Sequence, residues 1–311
     1  MPIGTICHKL VAPHPDEVTF ARRGFQAGDA AAQKLLEQIG ACFLDGLEYG
    51  MTSRDIPEVA RRLEELDGYF RGFGYEGAAM ALALLDGLLP GRRARLDAFI
   101  KGPAARHVYM AHVGAGWAMA RLPRPLRRRI RLRDPLLSSL AMDGYGFHEA
   151  YFRTAAVVGR HERPAHGGSA VDPGVGRALW FTCGADVDHV AATIDGFQPD
   201  RRADLWSGAG LAATYAGGAG KAALISLAER SGGYRPHLAQ GAAFAAKARL
   251  LAGVATQHTD AATRALCGLD AEEAARLTDQ CLPRDPALPG AYQAWRRAIR
   301  ECFTAMQDIR R

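Results

Sequence analysis

Residues 143–152 read Asp143-Gly-Tyr-Gly-Phe-His-Glu-Ala-Tyr-Phe152, and the Gly-x-Gly near the start of this run recurs along the chain. Gly72-Phe-Gly74, Gly114-Ala-Gly116, Gly174-Val-Gly176 and Gly208-Ala-Gly210 carry it in full, and Gln240-Gly241-Ala-Ala-Phe carries it in degenerate form. Each opens an alanine-rich apolar stretch. The first glycines stand at 72, 114, 144, 174 and 208, at steps of 42, 30, 30 and 34 residues. A period of this length is the mark of stacked helical hairpins.

A glycine-rich turn at a helix start can also cradle a pyrophosphate. Only Gly72-x-Gly74-x-x-Gly77 completes that fingerprint, and none of the copies follows a Val/Ile-rich strand. Close approach of one helix backbone to another is the better reading of the glycines.

The rest of the chain agrees with an all-α fold. Its 311 residues are 48% hydrophobic, enough to bury a large core. Alanine, leucine and glycine dominate while β-branched runs are scarce. Polar partners follow the glycine-rich segments, as in Arg92-Arg-Ala-Arg-Leu-Asp-Ala-Phe-Ile100, Val187-Asp-His-Val-Ala-Ala-Thr-Ile194 and Ala219-Gly-Lys-Ala-Ala-Leu-Ile-Ser-Leu-Ala-Glu229. Apolar inner helices alternating with amphipathic outer ones make an α-solenoid arc or an α/α toroid. We divide the chain into N-terminal capping helices over 1–70, glycine-rich hairpin repeats over 71–255 and C-terminal capping helices over 256–311, as one continuous unit.

Several function classes are disfavoured. No run of about eighteen apolar residues predicts a membrane span, and the first residues lack the pattern of a secretory signal; a cytoplasmic location is expected. Six cysteines include no Cys-x-x-Cys pair, and no His-Glu-x-x-His or Glu-x-x-His pattern suggests a metal, so no metal site is assigned and the cofactor is left open. Net charge is +6, largely from arginine. The densest basic stretch, Arg121 to Arg133, lacks interleaved aromatics and is broken by Pro123 and Pro125. It is read as a solvated connection or a docking patch for an acidic partner such as an acyl carrier protein, not as a nucleic-acid site.

Aligned on their second glycines, the copies place different side chains on equivalent turns. These are Tyr75 and Glu76, Trp117, Phe147 with His148 and Glu149, Arg177 followed by Trp180, and Leu211 followed by Tyr215. Charge inside an apolar run has to be paired, hydrated or functional. Glu76, His148 and Glu149 are therefore the candidate proton-transfer residues. The candidate binding residues are Tyr75, His112, Trp117, Asp143, Tyr151, Arg177, Trp180, Arg202, Asp204, Trp206 and Tyr215, which together suggest an apolar, aromatic slot with a few polar groups. Structural readings stand beside these: an N-cap for Asp143, ion pairs for the acids, and a hairpin corner for Arg202, Asp204 and Trp206.

The blocks Arg71–Met80, Asp143–Phe152, Gly174–Phe181 and Pro199–Gly218, in this order, resemble a bacterial domain-of-unknown-function family encoded in gene clusters for enediyne antibiotics. The resemblance spans roughly residues 5–305. It implies a role in building the enediyne core, where a linear polyene from an iterative polyketide synthase is converted to a ring, with that polyene and other pathway proteins as partners. The family supplies no catalytic residues to carry over. Two expectations follow: an enzyme that holds the polyene in a helical cavity and promotes its modification or cyclisation, and a non-catalytic helical adaptor that shelters it.

Overall fold

The computed structural model describes residues 14–89 and 94–309, and among these it contains helices and no strand. The fold is all-α. Seven helices form an inner layer: α1 (Ala30–Thr52), α2 (Gly68–Leu88), α3 (Val108–Arg121), α4 (Leu140–Phe152), α5 (Asp172–Thr182), α6 (Pro199–Ala216) and α7 (Arg235–Leu251). Each packs along its whole side against the next in sequence. Short amphipathic helices such as Ile56–Glu64, Val187–Gly196 and Lys221–Arg230 return the chain on the outside. Ends are fixed locally: Asp29 and Asp67 cap α1 and α2 through Ala32 N–H and Tyr69 N–H, and proline occupies the first turn of α5, α6 and α7.

The glycines explain the inner layer. In Gly114-x-Gly116, a β-carbon on the first glycine would strike the Glu76 carbonyl of the preceding helix, and one on the second would strike the Ala141 carbonyl of the following helix. The same pair of encounters recurs for Gly144 and Gly146, with Val113 and Val171, and for Gly174 and Gly176, with Asp143 and Leu205. It recurs again for Gly208 and Gly210, with Pro173 and Leu238. In every case the β-carbon would stand well inside 3.0 Å of backbone, a spacing real side chains do not adopt. Glycine in a helix costs about 1 kcal/mol relative to alanine, and here it permits main-chain contact across each seam.

These encounters define the repeat by contact, and they correct the alignment at its start. The member of α2 that meets the preceding helix is Gly77, against the Phe43 carbonyl, with Ala79 in the second position. Gly72 and Gly74 are out of register: Gly72 makes room for the Tyr215 hydroxyl, and Gly74 for Leu66 and Leu63 of the outer layer. Helix α1, inside the segment read as a cap, belongs to the same series, because Gly46 meets the Gly74 carbonyl as the second glycines do elsewhere. The first positions are then 44, 77, 114, 144, 174, 208 and 241, a steadier spacing of 30 to 37 residues.

The series turns back on itself. The Tyr69 hydroxyl of α2 donates to the Ala216 carbonyl of α6 at 2.8 Å, Phe73 meets Tyr215 edge to face, and Arg249 of α7 donates to the Tyr69 carbonyl at 2.7 Å. The sixth and seventh helices thus close against the second. The C-terminal helix α8 (Ala291–Ile309) goes further than a polar cap: Trp295 packs on Phe244 of α7, and Arg296 reaches inward to Gln240 and Asp204.

Candidate functional site

In each inner helix the residue before the first seam position and those three and seven after it share one face, because 3.6 residues make a turn. That face looks at the axis. It contributes Phe43 from α1, Glu76 from α2, Trp117 from α3, Phe147 and Tyr151 from α4, Arg177 and Phe181 from α5, and Leu211 and Tyr215 from α6. All of them line a cavity of about 60 Å³ that Phe73 and Met110 also border.

Glu76 and Arg177 on this wall belong to a buried charge cluster that also includes Asp143. The Arg177 guanidinium lies 2.6 Å from Asp143 Oδ1 and 3.5 Å from Glu76 Oε1, and Trp117 Nε1 donates to the same Glu76 oxygen at 2.9 Å. The three charged side chains are buried, Glu76 at 2% exposure. Two carboxyls share one guanidinium, so the cluster is neutral only when one of them carries a proton. Burial pushes the Glu76 carboxyl up to about 7, with Arg177 opposing and the neighbouring Asp143 adding to the rise. Burial also raises Asp143, again against Arg177. A carboxyl poised near neutrality on the wall of an aromatic cavity can give or take a proton there.

The rings around it interlock. Trp117 is tilted on Phe43 at 4.7 Å and on Phe147 at 5.0 Å, Phe147 stacks on Tyr151 at 5.8 Å, and Arg177 sits over the Phe147 face at 5.0 Å. The Tyr215 hydroxyl is buried with no hydrogen-bond partner, while Arg249 covers its ring at 4.2 Å.

The structure separates the other expected site residues from this cavity. His148 and Glu149 lie one and two residues past Phe147, turned off the axis. Both His148 ring nitrogens lack a hydrogen bond, Nδ1 standing 3.5 Å from Glu149 Oε1, while burial holds the imidazole below its ordinary range. Glu149 pairs with Arg153 at 2.7 Å. Burial would raise its carboxyl, but His148 and Arg153 together hold it below the ordinary value. Tyr75 points outward, stacked on His107 at 4.1 Å and donating to Glu64 at 2.8 Å. His112 Nδ1 bonds the Val108 carbonyl of its own helix, and Trp180 donates to the Gly217 carbonyl. Arg202 caps the end of Val187–Gly196 through the Phe197 and Asp195 carbonyls, Asp204 pairs with Arg296, and Trp206 is buried outside the cavity wall. Asp143 lies inside the first turn of α4 and pairs with Arg177, so it is not an N-cap.

Phe43, Met110 and Phe181 line the cavity although the sequence reading did not single them out. Phe181 stands seven residues past Gly174, as Tyr151 and Tyr215 stand past Gly144 and Gly208, and Phe43 falls on the axial face once Gly46 sets the register of α1; those spacings are the signal that would have found them. Among the described residues no three His, Cys, Asp or Glu side chains gather as a metal site would require.

A family model described as "Protein of unknown function (DUF1702)" matches residues 2–303. The chain belongs to that family. Neither a curated protein nor a solved structure matches it. The match covers all seven inner helices and the charge cluster, so the cavity lies wholly inside the DUF1702 unit.

Proposed function

We propose that this protein binds an apolar, unsaturated small molecule at the axis of its helical ring and that Glu76 exchanges a proton with it. The observation that carries the reading is the Glu76 carboxyl, 2% exposed and raised to about 7, facing aromatic rings instead of water. Trp117 and Arg177 hold that carboxyl in place, and the rings stabilise positive charge developing on a conjugated chain. In the setting suggested by the enediyne-cluster resemblance, the ligand is the linear polyene and the protein an accessory enzyme in its modification or cyclisation.

The cavity, at about 60 Å³, is smaller than the roughly 300 Å³ at which ligand pockets begin. Binding therefore requires side chains to move, and Met110 is suited to that because unbranched methionine repacks easily.

Incubation of the purified protein with a linear conjugated polyene, followed by absorption and mass spectrometry, tests the reading. Turnover by the wild type, with Glu76→Gln binding the polyene but not converting it, supports the assignment. Stoichiometric protection of an unchanged polyene by both proteins identifies a sheltering adaptor and removes the catalytic role from Glu76.

A further inference from the structure

A second apolar cavity, of about 40 Å³, lies against the first on the side of α7 and α8, with Phe244 and Trp295 in its wall. Four residues belong to both walls: Met110, Arg177, Leu211 and Tyr215. Glu76 lines only the first cavity and Asp143 only the second, so the two carboxyls that share Arg177 face opposite compartments. The partition between the compartments is Met110, whose unbranched side chain repacks easily, and Leu211, beside two side chains that are held, Arg177 and Tyr215.

We propose that the two cavities are halves of one axial channel, that its ligand is a long, unbranched conjugated chain threaded between Met110 and Leu211, and that Asp143 is a second proton-transfer residue acting on a different carbon of the chain from Glu76. This rests on the reading that the first cavity binds an unsaturated ligand. The step is redox-neutral. The Glu76 carboxylic acid gives its proton to one sp² carbon, forming a C–H bond. The Asp143 carboxylate removes a proton from an sp³ carbon allylic to the resulting cation, breaking a C–H bond, and the intervening π electrons shift by one position. Hydrogen count and oxidation state of the chain are unchanged, and proton exchange with water returns Glu76 to the acid and Asp143 to the carboxylate. The cluster holds the single proton this requires, because two carboxyls and one guanidinium balance in charge only with one proton present.

Equilibrium dialysis with linear all-trans polyene hydrocarbons of three and of seven conjugated double bonds tests the channel. In the wild type both bind. Leu211→Phe, which thickens the partition, is expected to weaken the long chain at least tenfold more than it weakens the short one, and Met110→Ala to strengthen the long chain relative to the short one. If neither hydrocarbon binds the wild type, the ligand reading itself fails. If both bind and neither substitution separates long from short, the single channel is overturned while the first cavity stands as a ligand site. The role of Asp143 is read in D₂O with the long polyene: the wild type places deuterium at one end and moves the double bonds, whereas Asp143→Asn binds but does not move them. Migration by Asp143→Asn at the wild-type rate removes Asp143 from the step.

Discussion

Each inner helix presents two stripes, and they follow opposite rules. The seam stripe repeats: ten of the twelve glycines that bring one helix onto a neighbour's carbonyl fall in α2 through α7, and a β-carbon at any of the twelve would come within 3.0 Å of main chain. The axial stripe varies: Glu76, Trp117, Asp143, Phe147, Arg177 and Tyr215 come from corresponding faces, yet they differ in charge, size and polarity. A repeat is held together where its copies are alike and acquires a site where they differ, so substitutions in the two stripes should fail in different ways.

The largest effect belongs to the seams. Gly174→Ala forces a methyl group into the Asp143 carbonyl, with no flexible side chain to give way, and should cost at least about 3 kcal/mol of stability in urea unfolding, or prevent folding. Gly233→Ala, which meets nothing within 4 Å, should stay within about 0.5 kcal/mol of wild type. Equal effects at the two positions would break the distinction between seam and ordinary helix glycines.

Next comes the axial charge. Arg177→Met leaves Glu76 and Asp143 buried without their cation and should cost about 3 to 5 kcal/mol at pH 8. The deficit should shrink toward pH 5, where both acids can take up protons. A cost that does not depend on pH would mean that the carboxyls are not held by that guanidinium.

The pH dependence of Glu76 itself is smaller and has a definite sign. Its folded-state value, about 7, lies above the ordinary 4.5, so the native state binds more protons than the unfolded chain between those limits. Its contribution to stability therefore falls as pH rises through that window, by an amount on the order of 3 kcal/mol. Buried histidines oppose it: burial lowers His107 and His237 to about 4, and their contribution rises with pH between about 4 and 6.5. The comparison must therefore be made between wild type and Glu76→Gln at each pH, which isolates the falling term. Smallest is the off-axis pair: Glu149→Gln removes a partner from the half-exposed Arg153 and should change stability by less than about 1 kcal/mol.

The same two stripes explain what could be read from the sequence. Glycine spacing announced the helical layers, since seams depend on a local pattern that α3 through α6 repeat in full. The register of α2 was not legible there, because Gly72-Phe-Gly74 imitates the seam motif while the true seam residue, Gly77, is followed by alanine in the second position. Helix α1 carries its seam glycines four apart, at Gly46 and Gly50, with no Gly-x-Gly, and so did not announce itself as a member of the series. Among the charged residues, Glu76, Asp143 and Arg177 do converge, each an exception within an apolar face. His148 and Glu149 looked equally exceptional, but a helix turns about 100° per residue, and one or two steps past Phe147 carry them off the axis into local pairings. Buried charge was visible in the sequence; which compartment it faces depended on the register.

The most direct test is the titration of the Glu76 carboxyl, followed by carbon-13 NMR or as the carboxylic-acid infrared band present in wild type and absent from Glu76→Gln. A midpoint near pH 7, moving upward when Arg177 is replaced by Met, is what a buried carboxyl sharing one guanidinium with Asp143 must show. A midpoint near the ordinary 4.5, unchanged by that replacement, would contradict the account.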